Sequence, residues 1–227
     1  MVTKMQSVPT KESEPYLKGK NTVYLWSFVG INLAVFFSLV VGKVFPVSLP
    51  SIEHFWERIT AKDGIIAAAI PLAVIVLTGS LSDTAKARLV FWRWRNPLPG
   101  CRAFSKLIAT DPRIDSAILA KRFAPLPVAP EEQNSLWYSI YREHKKTRMV
   151  WEAHRIYLLT RDMATIAAAF LLLLPIGTTL ASADCKTIVL YMIALGCQYL
   201  LIATSARNYG NRFVLDVLCE ESSRPED

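Results

Sequence analysis

Two short cationic runs hold most of the binding chemistry in this chain. Phe91-Trp92-Arg93-Trp94-Arg95 alternates arginine with aromatic rings. Guanidinium groups pair with phosphate, and flat rings stack on bases or sit among headgroups. The run therefore suits nucleic acid or an anionic headgroup. The plainer reading, a packed helix with Arg93 and Arg95 solvated, is preferred. The second run is Arg142, Lys145, Lys146 and Arg148 around Glu143. On a helix these cations make a basic face for an acidic protein partner, a nucleotide or nucleic acid. A simple solvated face accounts for it equally, and a cytosolic protein is preferred to nucleic acid as partner.

The remaining reactive residues do not assemble into a reaction. Cys101, Cys185, Cys197 and Cys219 form no C-x-x-C pair, so zinc and dithiol redox chemistry lack their spacing. His144 and His154 fall on different sides of a helix, which is wrong for one metal ion. His54 beside Glu57 supplies too few ligands. Glu131-Glu132 is what a helix start requires. There is no glycine-rich phosphate loop and no G-x-S-x-G. The expectation is a protein that is not an enzyme, with no cofactor, catalytic or metal site.

The elements that carry these residues are set by charge segregation. Four runs contain no Asp, Glu, Lys or Arg: 22–42, 64–82, 163–183 and 187–206. A hydrocarbon core of ~30 Å takes roughly 20 residues at ~1.5 Å each. The expected fold is an all-α membrane protein with four transmembrane helices. The first run is too long and too late for a signal peptide and reads as a retained span. Residues 1–21 read as a disordered cytoplasmic arm. Residues 43–63 form an outer loop, in which Ile52, Phe55, Trp56 and Ile59 mark an amphipathic surface helix. Residues 83–161 are a helical cytoplasmic module, 162–206 the last two spans, and 207–227 a cytoplasmic tail, in which Tyr209 to Leu218 form a short amphipathic turn and 220–227 are polar.

Basic residues orient the spans. The arm, the 83–161 segment and the tail hold twenty-two Lys and Arg, against four on the other side. Both termini and the module are therefore placed in the cytoplasm, with membrane lipids around the spans.

Within the spans, Gly30, Ala34, Ser38 and Gly42 recur every four residues. Small residues at that spacing let helix backbones approach and predict a seam within the bundle or between copies of a homo-oligomer. Asn32 and Gln198 are expected to hydrogen-bond between helices. Pro71 and Pro175 predict kinks. No acid or base lies deep in a span, which disfavours ion-coupled transport. A passive channel needs no such group.

Trp92, Trp94, Trp137 and Trp151 lie in the 83–161 segment. That much aromatic surface predicts a folded module rather than a tether. The helix of span two is expected to continue to Arg95, ending at Asn96-Pro-Leu-Pro-Gly100. On a straight rod Trp92 would stand about 16 Å beyond Leu81, too far out for headgroups. A short helix capped by Asp111 runs to Phe123. A long helix opens at Pro130 and runs into span three. Its stripe of Trp137, Tyr141, His144, Trp151, His154 and Leu158 is expected to pack on the extension of span two.

The layout of four spans with a helical insert after the second, and the runs NPLPGCRAF, QNSLWYSIYR and AHRIYLLTRD, resembles small four-span bacterial inner-membrane proteins of phage-defence operons. The resemblance implies an antiviral defence setting and assigns no residue roles. Three functions compete. The first is an oligomeric membrane protein whose module receives a partner or signal while the spans respond as a pore. The second is an anchor or scaffold for a cytosolic protein. The third is a membrane-interface enzyme.

Overall fold

The computed structural model describes residues 13–42, 61–180 and 184–225. The outer-loop helix expected over 52–59 lies outside them. Among the described residues the regular structure is all helical: α1 Ser13–Gly42, α2 Ala61–Ser80, α3 Asp83–Phe91, α4 Ser116–Phe123, α5 Pro130–His144, α6 Arg148–Leu180 and α7 Cys185–Ser222. Short 3-10 and π turns over Pro99–Thr110 connect α3 to α4. Among the described residues, three helices are long and apolar enough to cross a membrane: α1 over Gly19–Leu39, α6 and α7. A fourth span is counted only if the bent pair α2–α3 is taken as one.

Two compact units are present. One draws on residues up to Val23, on Phe91–Leu159 and on Arg207 onward; the other comprises Tyr24–Val90 and Thr160–Ala206.

The apolar unit is organised around one ring. Phe36 of α1 is fully buried, amid Val29, Leu39, Ile70, Val74, Phe170 and Leu174. Gly177 of α6 makes room for it. A Cβ there would stand 2.8 Å from Phe36 Cζ and 2.9 Å from Ile70 Cδ1. Lipid gives helices no hydrophobic reason to associate, so close backbone approach and van der Waals fit must do it. Pro71 and Pro175 lie inside continuous helices. Thr178 and Thr179 hydroxyls both donate to the Pro175 carbonyl, at 2.8 Å each.

Helix α2 does not continue straight into α3. The chain breaks at Leu81-Ser82, and α3 leaves α2 at 102°. Ser82 acts as the new helix start: its Oγ accepts from Ala85 N at 3.2 Å, the role of an N-cap. Ion pairs fix the turn. Arg161 reaches Asp83 at 3.0 Å, and Lys86 reaches Asp162 at 3.4 Å. The Tyr199 hydroxyl donates to the Leu89 carbonyl at 2.8 Å. The helix then ends at Phe91, four residues short of the expected Arg95, because Trp92 takes φ 50°. Hydrophobic spacing cannot register such a corner, since α3 is itself a good helix.

Other boundaries differ for equally local reasons. Helix α1 starts at Ser13, inside the arm expected to be disordered, and Asn21 is buried, donating to the Arg155 carbonyl at 3.0 Å. Asp115, not Asp111, caps α4, accepting from Ala117 and Ile118 amides. Pro130 does open a helix, but α5 stops at His144 and α6 restarts at Arg148. The expected amphipathic turn over 209–218 is no separate piece but part of α7, which runs on to Ser222, with Phe213, Val214, Val217 and Leu218 buried.

Gly177→Leu is expected to push Phe36 out of its seat and abolish the monodisperse species on size exclusion in detergent. Gly177→Ala should cost ~1–3 kcal/mol, seen as a lower melting temperature. A Gly177→Leu protein that melts like the parent would refute this packing.

Candidate functional site

In the unit that contains α4 and α5, the stripe of α5 and α6 has a definite partner. It meets the end of α7. Phe213 stacks on His154 at 4.8 Å between centroids and meets Trp137 edge-on at 5.2 Å. Tyr141 OH and His154 Nδ1 share a 3.0 Å hydrogen bond. Trp137 Nε1 donates to the Val214 carbonyl at 3.4 Å. Gly210 lets α7 come this close, since a Cβ there would meet Phe91 and Tyr157 within 3 Å.

Buried carboxylates on α7 then hold the loops. Glu221 is 2% exposed. Arg122 Nη1 donates to its Oε1 and, at 2.8 Å, to its carbonyl. His144 Nε2 bonds its Oε2. Burial pushes the Glu221 carboxyl up, but the bonds from His144 and Arg122 outweigh it and hold the group below its ordinary 4.5. One turn earlier Asp216, also buried, accepts from Arg113 at 2.8 Å. Arg113 grips Asp111 as well, and that bond lowers the Asp111 carboxyl and raises the Arg113 guanidinium. Sequence reasoning missed Asp216 and Glu221. Their i, i+5 spacing gave no signal, since such positions lie about 140° apart on a helix.

Gln133 is a third fixed point. Its Oε1 accepts from the Phe104 and Ser105 amides, and its Nε2 donates to the Val128 carbonyl.

The expected partner-binding residues face outward. Arg142, Lys145, Lys146 and Arg148 are all exposed, and Arg148 makes only a loose 3.6 Å pair with Glu152. Arg93 and Arg95 are exposed too, in irregular chain after α3 rather than on a helix. The two runs are thus separate features. His144 and His154 are each engaged elsewhere, with Glu221 and Tyr141. Among the described residues, no group of three His, Cys, Asp or Glu residues could hold a metal ion.

In the apolar unit, Gly30, Ala34 and Ser38 are exposed, and nothing lies within 4 Å of a Cβ placed on Gly30. The stripe is therefore not the seam by which α1 joins its own bundle; Val29, Phe36 and Leu39 make that contact. The surroundings of Gly42 lie outside the described residues. Asn32 bonds within its own helix, donating to the Phe28 carbonyl at 2.9 Å, rather than across helices. A cavity of about 380 Å³ lies between α1 and α7, lined by Val35, Leu190, Tyr191 and Gln198 among others. The Tyr191 hydroxyl and Gln198 Oε1 are buried with no hydrogen-bond partner among the described residues.

Compared with known proteins, the chain matches no protein family, no curated protein and no solved structure.

Glu221→Gln should destabilise the protein by about 2 kcal/mol, below the ~3–5 of a fully dry pair because Arg122 keeps an edge in water. Acid should act alike. A depressed carboxyl contributes fully above its ordinary 4.5 and loses that contribution as pH falls through its folded value. Melting curves between pH 7 and 3 check this: the parent should lose more stability than Glu221→Gln. Gln198→Leu should instead gain about 1 kcal/mol by removing an orphaned acceptor; a loss in detergent melts would show that Gln198 is satisfied.

Proposed function

We propose that this is a non-enzymatic, multi-pass membrane protein whose basic helical unit receives an acidic cytosolic protein, with the apolar helices responding as a homo-oligomer. The single observation that carries this reading is the asymmetry of charge use. The carboxylates Asp111, Asp216 and Glu221 are consumed in internal ion pairs. The cations Arg142, Lys145, Lys146 and Arg148 point to solvent. The surface is thereby left with unbalanced positive charge, which attracts and orients an acidic partner. The outward-facing Gly30, Ala34 and Ser38 support contact with a second copy. An inner-membrane location with cytoplasmic termini follows from the twenty-two to four bias in basic residues. A pore opened in a defence response is the form of output that the layout suggests.

The scaffold reading shares the same cationic face and differs only in output. Full-length chain is required for the test, because α7 beyond Arg207 supplies part of the basic unit's core. R142Q/K145Q/K146Q/R148Q should keep the parent's melting temperature yet lose the protein that co-purifies in mild detergent, with a strong salt dependence in the parent. Membrane potential recorded in expressing cells then separates output from anchoring. Partner capture with no depolarisation would favour the scaffold; unchanged capture by the quadruple variant would sink the cationic site.

A further inference from the structure

The arginine–tryptophan run after α3 has no role in the reading above, and the structure changes its circumstances. A straight span would have carried it about 16 Å from the membrane boundary. The helix is not straight. Because α3 leaves α2 at 102°, its residues advance almost nothing along the direction of the span. The corner is pinned by Asp83–Arg161 and Lys86–Asp162, pairs that lie where the uncharged runs end. Trp94 follows Phe91 by three residues, so the chain can carry it no further than ~10 Å from the end of α3.

A second contact gives the same depth. The Arg207 guanidinium lies over the Trp92 ring, Cζ 3.4 Å from its centroid. Arg207 is the first charge after the uncharged run 187–206. Charges that end a span sit at headgroup level, and Trp92 is in contact with this one.

We propose that Trp92–Arg95 is an interfacial anchor that seats on anionic phospholipid headgroups at the cytoplasmic leaflet. The surface has the required chemistry. Trp94 is 83% exposed, the most exposed of the large hydrophobic side chains in the described residues. An indole in that position gains from the membrane interface and loses nothing by leaving water. Arg93 and Arg95 flank it, exposed, and make no ion pair among the described residues. Arg102 lies beside them, its guanidinium over the Phe91 ring at 5.2 Å. Lipid phosphates supply the counter-charge this group of arginines lacks. The left-handed backbone at Trp92 serves the arrangement: it ends α3 and turns the following residues off the helix axis. Nucleic acid is the competing ligand for such a run. It is disfavoured because a helix lying along the bilayer brings Trp94 to the lipid before any base.

This inference rests on the reading of α2 as a span, and the experiment distinguishes the two. Full-length protein is reconstituted in phosphatidylcholine vesicles with and without ~30% phosphatidylglycerol, and tryptophan emission is quenched by a nitroxide on the lipid headgroup. The difference between parent and Trp94→Phe isolates Trp94. That signal should be quenched at headgroup depth, at least about twofold more with anionic lipid. R93Q/R95Q should remove the rise while keeping the parent's melting temperature. Quenching of Trp94 by aqueous iodide alone, equal in both vesicles, would overturn the anchor while leaving the spans standing. Binding of a single-stranded oligonucleotide that R93Q/R95Q abolishes, without lipid quenching, would overturn it in favour of nucleic acid. Release of the chain from membranes by alkaline carbonate would overturn the span reading and the anchor together.

Discussion

The structure depends on where charge is allowed to sit. Asp83 and Lys86 follow the uncharged run of α2, and Arg161 and Asp162 precede the uncharged run of α6. The two pairs close on each other at 3.0 and 3.4 Å. Asp83 is largely in water and its pair with Arg161 is energetically modest. Its consequence is geometric. It fixes the corner at Leu81-Ser82 and so decides that α3 runs across the direction of α2.

Each unit uses a different solution to the problem of packing helices. In the apolar unit, small meets large: Phe36 fills the space that Gly177 leaves, and threonine hydroxyls satisfy the carbonyl of Pro175. In the basic unit, aromatic rings and ion pairs do the work. Phe213 sits among Trp137, Tyr141 and His154, while Glu221 and Asp216 hold the segments that carry Arg122 and Arg113. Asp111, Asp216 and Glu221 are spent internally, whereas Arg142, Lys145, Lys146 and Arg148 are left outside. A protein with the same composition but paired surface charges would present no cationic face at all.

Much of this was legible in residue order. The uncharged runs gave the apolar helices, because twenty residues without a charge have few other uses. Pro130 opened a helix where expected, and Phe123 closed one. The tryptophan-rich segment proved folded. What failed were inferences that assumed a pattern continues. The helix from Pro130 breaks at His144, and α3 stops at Phe91 instead of Arg95. In each case a few local bonds or one backbone angle decide, and periodicity averages over them.

Helix type, and the separation of lipid-length apolar runs from a basic remainder, were determined by sequence alone, since both follow from transfer free energies that each residue carries with it. The 102° corner between α2 and α3, the outward turn of Gly30, Ala34 and Ser38, and the burial of Glu221 were decided only in three dimensions. They depend on the angle at one break and on which faces meet, and contacts between residues distant in sequence set both.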